Sequence, residues 1–336
     1  MKRVLTWLFI LSFISGGVTA WWFWHDMQLQ LDSPLNIEAS TAMSFTIKPG
    51  MNLKIIGEDL VQQEILEHPY YLILEGRLQG SESRLKAGEY LLQPGTTQRQ
   101  LLEQFEAGKV VQHSLTLIEG WSYKQIMQAV SSNEVLIKVL SDTGSKTVMS
   151  ALGYADVHPE GRFFPDTYHF PSGMTDVEFL QRAYEKMLVV LDEEWQQRAE
   201  GLPYKTADEA LVMASIIEKE TAVANERAAI AGVFVRRLQK GMKLQTDPTV
   251  IYAMGENYNG NIRRKDLKTD SPYNTYVFAG LPPTPIALPG TEAIHAALHP
   301  EQAETLYFVA KGDGSHYFSK TLKEHNRAVT KYQLGK

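Results

Sequence analysis

The sequence predicts an α+β protein behind a single N-terminal transmembrane helix, with a small αβ subdomain followed by a larger mixed α+β domain. Three observations predict it. An unbroken uncharged run opens the chain, a strand–glycine–helix pattern follows, and from about residue 113 helical periodicity is interleaved with short β-rich runs. The 336 residues are 44% apolar and 21% charged, the balance of a globular protein, and the length suits about two globular units. A net charge of −6 argues against a nucleic-acid partner, because phosphate binding calls for a basic surface. Without cysteine the chain has no disulfide, thiolate nucleophile or Cys-ligated metal.

Lys2 and Arg3 precede an uncharged run over residues 4–24. Its helix would be about 31 Å long, which matches a bilayer core of about 30 Å. The run closes on Trp21, Trp22, Phe23 and Trp24, and indole rings favour the membrane interface. Positive charge before the span and none directly after it predicts a cytoplasmic tail (1–3), an anchor (4–24) and the remainder outside. Val18-Thr19-Ala20 resembles a signal-peptidase site, but cleavage there would leave the tryptophan cluster as an apolar free terminus, so retention is the expectation. Residues 25–43 read as a polar tether.

A motif then recurs. Phe45-Thr-Ile-Lys-Pro-Gly50, Tyr90-Leu-Leu-Gln-Pro-Gly95 and Leu115-Thr-Leu-Ile-Glu-Gly120 each precede apolar residues at helical spacing. The glycines suit a turn needing positive φ, and Asn52, Thr97 and Ser122 stand where N-caps belong. The first copy resembles the opening of a LysM module over about 20 residues, which supports a LysM-like fold at 44–112 better than it supports sugar binding. The third copy reads as an ordinary αβ unit.

Beyond it, over 113–336, helices are expected at 124–142, 176–199, 206–224, 226–239, 291–298 and 319–332. Strands are expected at 115–118 and 305–310, with weaker signals near 166–170 and 276–279. The stretch 255–290, rich in Asn, Gly and Pro, reads as an irregular cleft wall or lid.

The strongest site signal lies on the 206–224 helix. Thr206 and Glu209 suggest a capping box. Residues 210–217 are apolar nearly all round, so the helix should be buried. Glu218 falls on the side of Leu211, Ala214 and Ser215, whose small size leaves room for a ligand; Glu220 points about 200° away. A carboxyl in such surroundings resists ionisation, as a general acid near neutral pH requires. A solvated or ion-paired helix-end glutamate is the plainer alternative, and Lys219 reads as a solvated or paired charge.

Other constellations are less specific. Residues 159–171 combine prolines, aromatics, Glu160, Asp166, Tyr168 and Arg162, which suits either a sugar-binding loop or a packed one with Arg162 paired to an acid. Gln245, Asp247, Tyr252, Tyr273, Asn274 and Tyr276 could line a groove for an extended polar ligand, although Asp247-Pro248 equally suits a helix start with Asp247 as cap. Gly314-Ser-His-Tyr-Phe-Ser319 and Glu324-His-Asn326 fit no metal or triad spacing. With phosphate loops and dinucleotide fingerprints also absent from the sequence, acid–base chemistry without cofactor or metal is what remains.

Six motifs in order resemble the YceG-like family over nearly the whole chain: residues 160–168, 214–221, 244–249, 271–276, 280–286 and 324–326. Members are membrane-anchored endolytic murein transglycosylases. The resemblance implies Glu218 as the catalytic glutamate, first of the Glu218-Lys219-Glu220 run. It also implies a peptidoglycan glycan strand as substrate, for which Glu160, Asp166, Tyr168, Gln245, Asp247, Tyr273, Asn274 and Tyr276, from the constellations above, are the candidate contacts; no cofactor is expected. The implied reaction cleaves the β-1,4 bond between N-acetylmuramic acid and N-acetylglucosamine and leaves a 1,6-anhydro end. The implied setting is the inner membrane, with the bulk of the chain periplasmic, beside peptidoglycan synthases whose nascent strands the enzyme terminates. A hydrolytic muramidase would need a second carboxylate, for which Glu160 and Asp166 are the nominees. A wall-binding scaffold without turnover is the alternative of a different class.

Overall fold

The computed structural model describes residues 2–38 and 40–334, with side chains from residue 7 onward apart from residue 39. The charged side chains of Lys2 and Arg3 and the start of the expected cytoplasmic tail lie outside that description. The chain divides into two units, Met1–His113 with Phe170–Gly173, and Ser114–His169 with Met174–Lys336. It is an α+β protein with short two-stranded sheets.

The first unit opens with α1 (Lys2–Leu31), of which Trp7–Leu31 is long and apolar enough to cross a membrane. The helix does not stop at Trp24. The first seven residues of the expected tether are helical because Met27 and Leu31, one turn apart, are fully buried in this unit's core. Strands β1 (Met43–Ile47) and β2 (Gly88–Leu92) pair antiparallel, with Phe45 opposite Tyr90. Between them run α2 (Leu53–Gln62) and α3 (Tyr70–Leu78); α4 (Gln98–Ala107) follows, and β3 (Gln112–Thr116) begins in the last residues of this stretch and continues into the second unit's sequence. Phe45 and Tyr90 both meet Phe105 in the core, and the Tyr90 hydroxyl donates to the Lys86 carbonyl at 2.6 Å. The recurring glycines do what their turns need: Gly50, Gly95 and Gly120 have φ of 85°, 84° and 76°. Asn52 caps α2, and Thr97 closes a capping box on α4. Helix α3 was not expected, since its sequence lacks a clear apolar stripe; it is held by close packing, with Gly76 against Leu53.

The second unit contains α5 (Tyr123–Ser132), α6 (Ser145–Ala151), β4 (Thr167–Pro171), α7 (Asp176–Gln196), α8 (Ala207–Glu220), α9 (Arg227–Gln239), α10 (Asp247–Met254), α11 (Thr291–Leu298), β5 (Tyr307–Ala310), β6 (His316–Ser319) and α12 (Leu322–Tyr332). Helix α8 is the hub: residues 210–217 are all buried, and α7, α9, α10 and α11 pack around it. Ser122 forms a capping box on α5. That helix ends ten residues short of expectation because Asn133 accepts the N–H groups of Val135 and Leu136, which turns the chain. Residues 276–279 are turns rather than strand, with Val277 and Phe278 both donating to the Asn274 carbonyl. Apart from two short 3₁₀ turns, 255–290 is irregular, as expected. Helix α6 and strand β6 were not anticipated; β6 pairs antiparallel with β5.

Candidate active site

Helix α8 begins as the sequence suggests, but with half a capping box. Thr206 accepts the Glu209 N–H at 3.3 Å, while the Glu209 carboxylate turns to the Lys205 N–H at 2.6 Å. The helix ends at Glu220 rather than 224, because Thr221 is extended and its hydroxyl accepts the Val223 N–H. Both glutamates therefore occupy the last turn. Ser215 is fully buried, donates to the Val212 carbonyl and accepts the Ile286 N–H at 3.0 Å. The small residues beneath Glu218 thus make room for the 280–290 loop, not directly for a ligand.

That loop brings Gly290 to the site. Its N–H donates to Glu218 Oε2 at 3.1 Å. Burial pushes the Glu218 carboxyl above its ordinary value, and the nearby Glu119 carboxylate pushes the same way; the Gly290 N–H, Arg227 and Lys219 oppose them. A side chain at position 290 would collide with Glu119, since a Cβ there would fall 1.9 Å from its Oε1. Lys219 is tied down, donating to the Gly120 carbonyl at 3.1 Å. Glu119 belongs to the third recurring motif and was not foreseen as a site residue. Its neighbour Glu218 is 99 residues away, and only the Glu119-Gly120 turn itself signals it.

The other groove candidates gather around Glu220. A cleft of about 430 Å³ is lined by Glu220, Gln245, Asp247, Tyr276, Tyr307 and Phe308, with Arg237, His316 and His325 beyond. Thr246 hydrogen-bonds Glu220, and burial lifts that carboxyl to about 7. Asp247 is not the cap of α10: Thr246 holds that position with its hydroxyl diverted to Glu220, and Asp247, the first helical residue, accepts the Tyr276 hydroxyl at 2.6 Å. A larger cleft, about 720 Å³, lies at the opposite end of α8 beside Arg162, Asp208 and Pro282–Pro285. Glu218 lines neither cleft.

The remaining candidates sit in supporting positions. Glu160 is 4% exposed; its carboxylate accepts the Tyr123 N–H at 2.8 Å and the Tyr252 hydroxyl at 3.0 Å, joining α5 to α10. Burial raises its carboxyl. Asp166 is paired with Lys186, which holds its carboxyl low. Tyr168 is buried and donates to the Phe164 carbonyl at 2.7 Å. Asn274 is fully buried and anchors its loop by donating to the Thr269 carbonyl at 2.8 Å. Tyr273 packs its ring on Tyr252 and bonds Thr284. Arg162 pairs with Asp208, the packed-loop arrangement of the two weighed from sequence.

Fold and site define a class: α+β proteins behind an apolar N-terminal helix, with two carboxyl groups on the last turn of a buried helix. The chain belongs to the YceG-like family, whose family model matches residues 45–331. It is 33% identical over 320 residues to a Bacillus subtilis (strain 168) protein named endolytic murein transglycosylase, covering 89% of this chain and 87% of that one. A protein of the same name from Streptococcus pneumoniae (strain D39) is 29% identical over 366 residues; the match takes in 98% of this chain and 65% of the longer relative. The crystal structure of a YceG-like protein from Listeria monocytogenes aligns with a TM-score of 0.54 at 31% identity, over 85% of this chain and 98% of that one.

Proposed function

We propose that this protein is an endolytic lytic transglycosylase of peptidoglycan, with Glu218 as its general acid and then its base. The observation that carries the reading is the place of Glu218: a carboxyl on the last turn of a buried helix, accepting the Gly290 N–H, within a family whose relatives bear that enzyme name. Protonated Glu218 gives its proton to the departing glycosidic oxygen as the muramyl C1–O bond breaks. The resulting carboxylate takes the proton of the C6 hydroxyl, whose oxygen closes on C1. No water is consumed, the 1,6-anhydro end forms, and the carboxyl is protonated again.

Two observations favour this over hydrolysis. Glu160 has both carboxylate oxygens engaged in the core, and Asp166 is paired with Lys186. Glu119 is the carboxylate that a hydrolase could recruit, and our reading gives it an electrostatic part only. Around this centre, α1 anchors the chain with its N-terminus cytoplasmic. The β1–α2–α3–β2 arrangement serves as the LysM-like part, and the enzyme ends nascent strands near their synthases.

The test is full-length protein in detergent acting on isolated sacculi. We expect soluble fragments lighter by one water than hydrolysis products, and Glu218→Gln to lose about 10²–10⁴-fold in rate with its fold intact. Release of reducing, hydrated ends would establish hydrolysis. No release by wild type, matched by the variant, would leave a binding scaffold.

A further inference from the structure

The ends of α7 and α11 bring together three side chains that the reaction at Glu218 does not use. Glu194 lies in the last turn of α7, His295 in the last turn of α11, and His299 caps α11. The two histidines are four residues apart, the spacing that sets one side chain above the other on a helix face. The His299 N–H donates to the His295 carbonyl at 2.7 Å, which keeps that spacing helical through the cap. Their rings stack with centroids 4.3 Å apart and planes 26° from parallel. Glu194, 101 residues earlier in the chain than His295, sets its Oε2 2.8 Å from His295 Nδ1. Only the His295-Ala-Ala-Leu-His299 spacing is visible in the sequence; the fold supplies the carboxylate.

The donor set selects a ligand class. One oxygen or nitrogen atom from each of the three side chains lies within 4.8 Å of the other two. Around a tetrahedral ion with bonds of about 2.0–2.1 Å, neighbouring donors stand about 3.3 Å apart, so side-chain shifts of about 1–1.5 Å close the three on one centre. The side chains are free enough to make them, and an ion can reach them: that of His295 is 58% exposed and that of Glu194 20%. Two imidazoles and one carboxylate suit zinc and its transition-metal neighbours, whereas magnesium and calcium prefer shells of oxygen alone. Among the described residues no lysine or arginine pairs with Glu194, so no resident cation competes for its carboxylate.

We propose that Glu194, His295 and His299 bind a divalent zinc-type ion that clamps the end of α7 to the end of α11, with water completing the shell. The ion takes no part in glycan cleavage, and the proposal does not depend on that reading. Two hydrogen bonds already join these ends: the Ala199 N–H donates to the Leu298 carbonyl at 3.0 Å, and the Tyr204 hydroxyl to the Ala297 carbonyl at 3.2 Å. The ion adds a third tie, made by side chains at the surface. Helix α11 starts one residue after Gly290, whose N–H reaches Glu218, so a clamp on its far end steadies the element that presents Gly290.

The test uses full-length protein in detergent, stripped with a chelator and dialysed free of it. Zinc chloride titrated calorimetrically should fill one site per chain that magnesium chloride does not, and the midpoint of thermal unfolding should rise with zinc concentration. Cobalt(II) in place of zinc should give the visible absorption of a site with nitrogen and oxygen donors. His299→Ala and Glu194→Gln should each weaken zinc binding by at least about tenfold, the least that loss of even an outer partner of a metal site costs, and should abolish the cobalt absorption. Should either variant fail to fold, His295→Ala, at the most exposed of the three positions, carries the test. Unchanged zinc affinity in these variants, equal stabilisation by magnesium, or no saturable zinc binding by wild type would overturn the site.

Discussion

Glu218 has to be protonated to act as an acid, and its neighbours decide at what pH it is. Burial and Glu119 raise its carboxyl, so the protonated fraction reaches further toward neutrality than for a solvated glutamate. Activity should therefore fall as pH rises through that raised value. Glu119→Gln removes a repelling negative charge, lowers the Glu218 value and should move the alkaline limb of the pH–rate profile to lower pH, with the anhydro product unchanged. Arg227→Gln removes an opposing positive charge and should move the limb the other way. Abolition of turnover by Glu119→Gln at every pH would instead make Glu119 a direct participant. The buried helix that carries Glu218 was legible because a run of apolar residues ending in glutamates is a local pattern. Glu119 was not, because its closeness arises only when Gly290 and the 119–120 turn meet on α8.

Helix α8 and the 280–290 loop act as one piece. Ser215 is their buried fastening, and it is also what aims the loop toward Gly290 and Glu218. Ser215→Ala leaves the Ile286 N–H without its acceptor and should cost about 1–3 kcal/mol in denaturant unfolding, with turnover falling as well. Ser215→Thr, which keeps the hydroxyl, tests crowding at the same place. By comparison Thr97→Ala should cost only about 1 kcal/mol and leave turnover alone, since it removes an N-cap far from the site in sequence and in the other unit. At this scale the legible features were those fixed within a few residues: the glycine turns and the caps at Asn52, Thr97 and Ser122. Helix α3 and strand β6 escaped because their partners, not their own periodicity, hold them. Asp247 was misread as a cap for a related reason: the Thr246 hydroxyl is taken by Glu220 from another helix.

For the molecule as a whole, the N-terminal helix carries the main prediction. If α1 spans the bilayer, the full chain should sediment with membranes, resist extraction by high salt and alkaline carbonate, and dissolve only in detergent. Recovery in the soluble fraction as a shortened chain would mean that the Val18-Thr19-Ala20 site is cut. An apolar helix of spanning length was legible from the run of uncharged residues; its continuation was not, because Met27 and Leu31 are anchored by residues far along the chain.

If α1 spans the bilayer, that continuation makes it a ruler as well as a tether. The helix enters the first unit without a break, so the separation between bilayer and that unit would be set by a count of residues, at about 1.5 Å each. Two added turns just after Trp24 would lift the unit by about 11 Å, and a short glycine–serine insert at the same point would replace a stiff stem with a swivel.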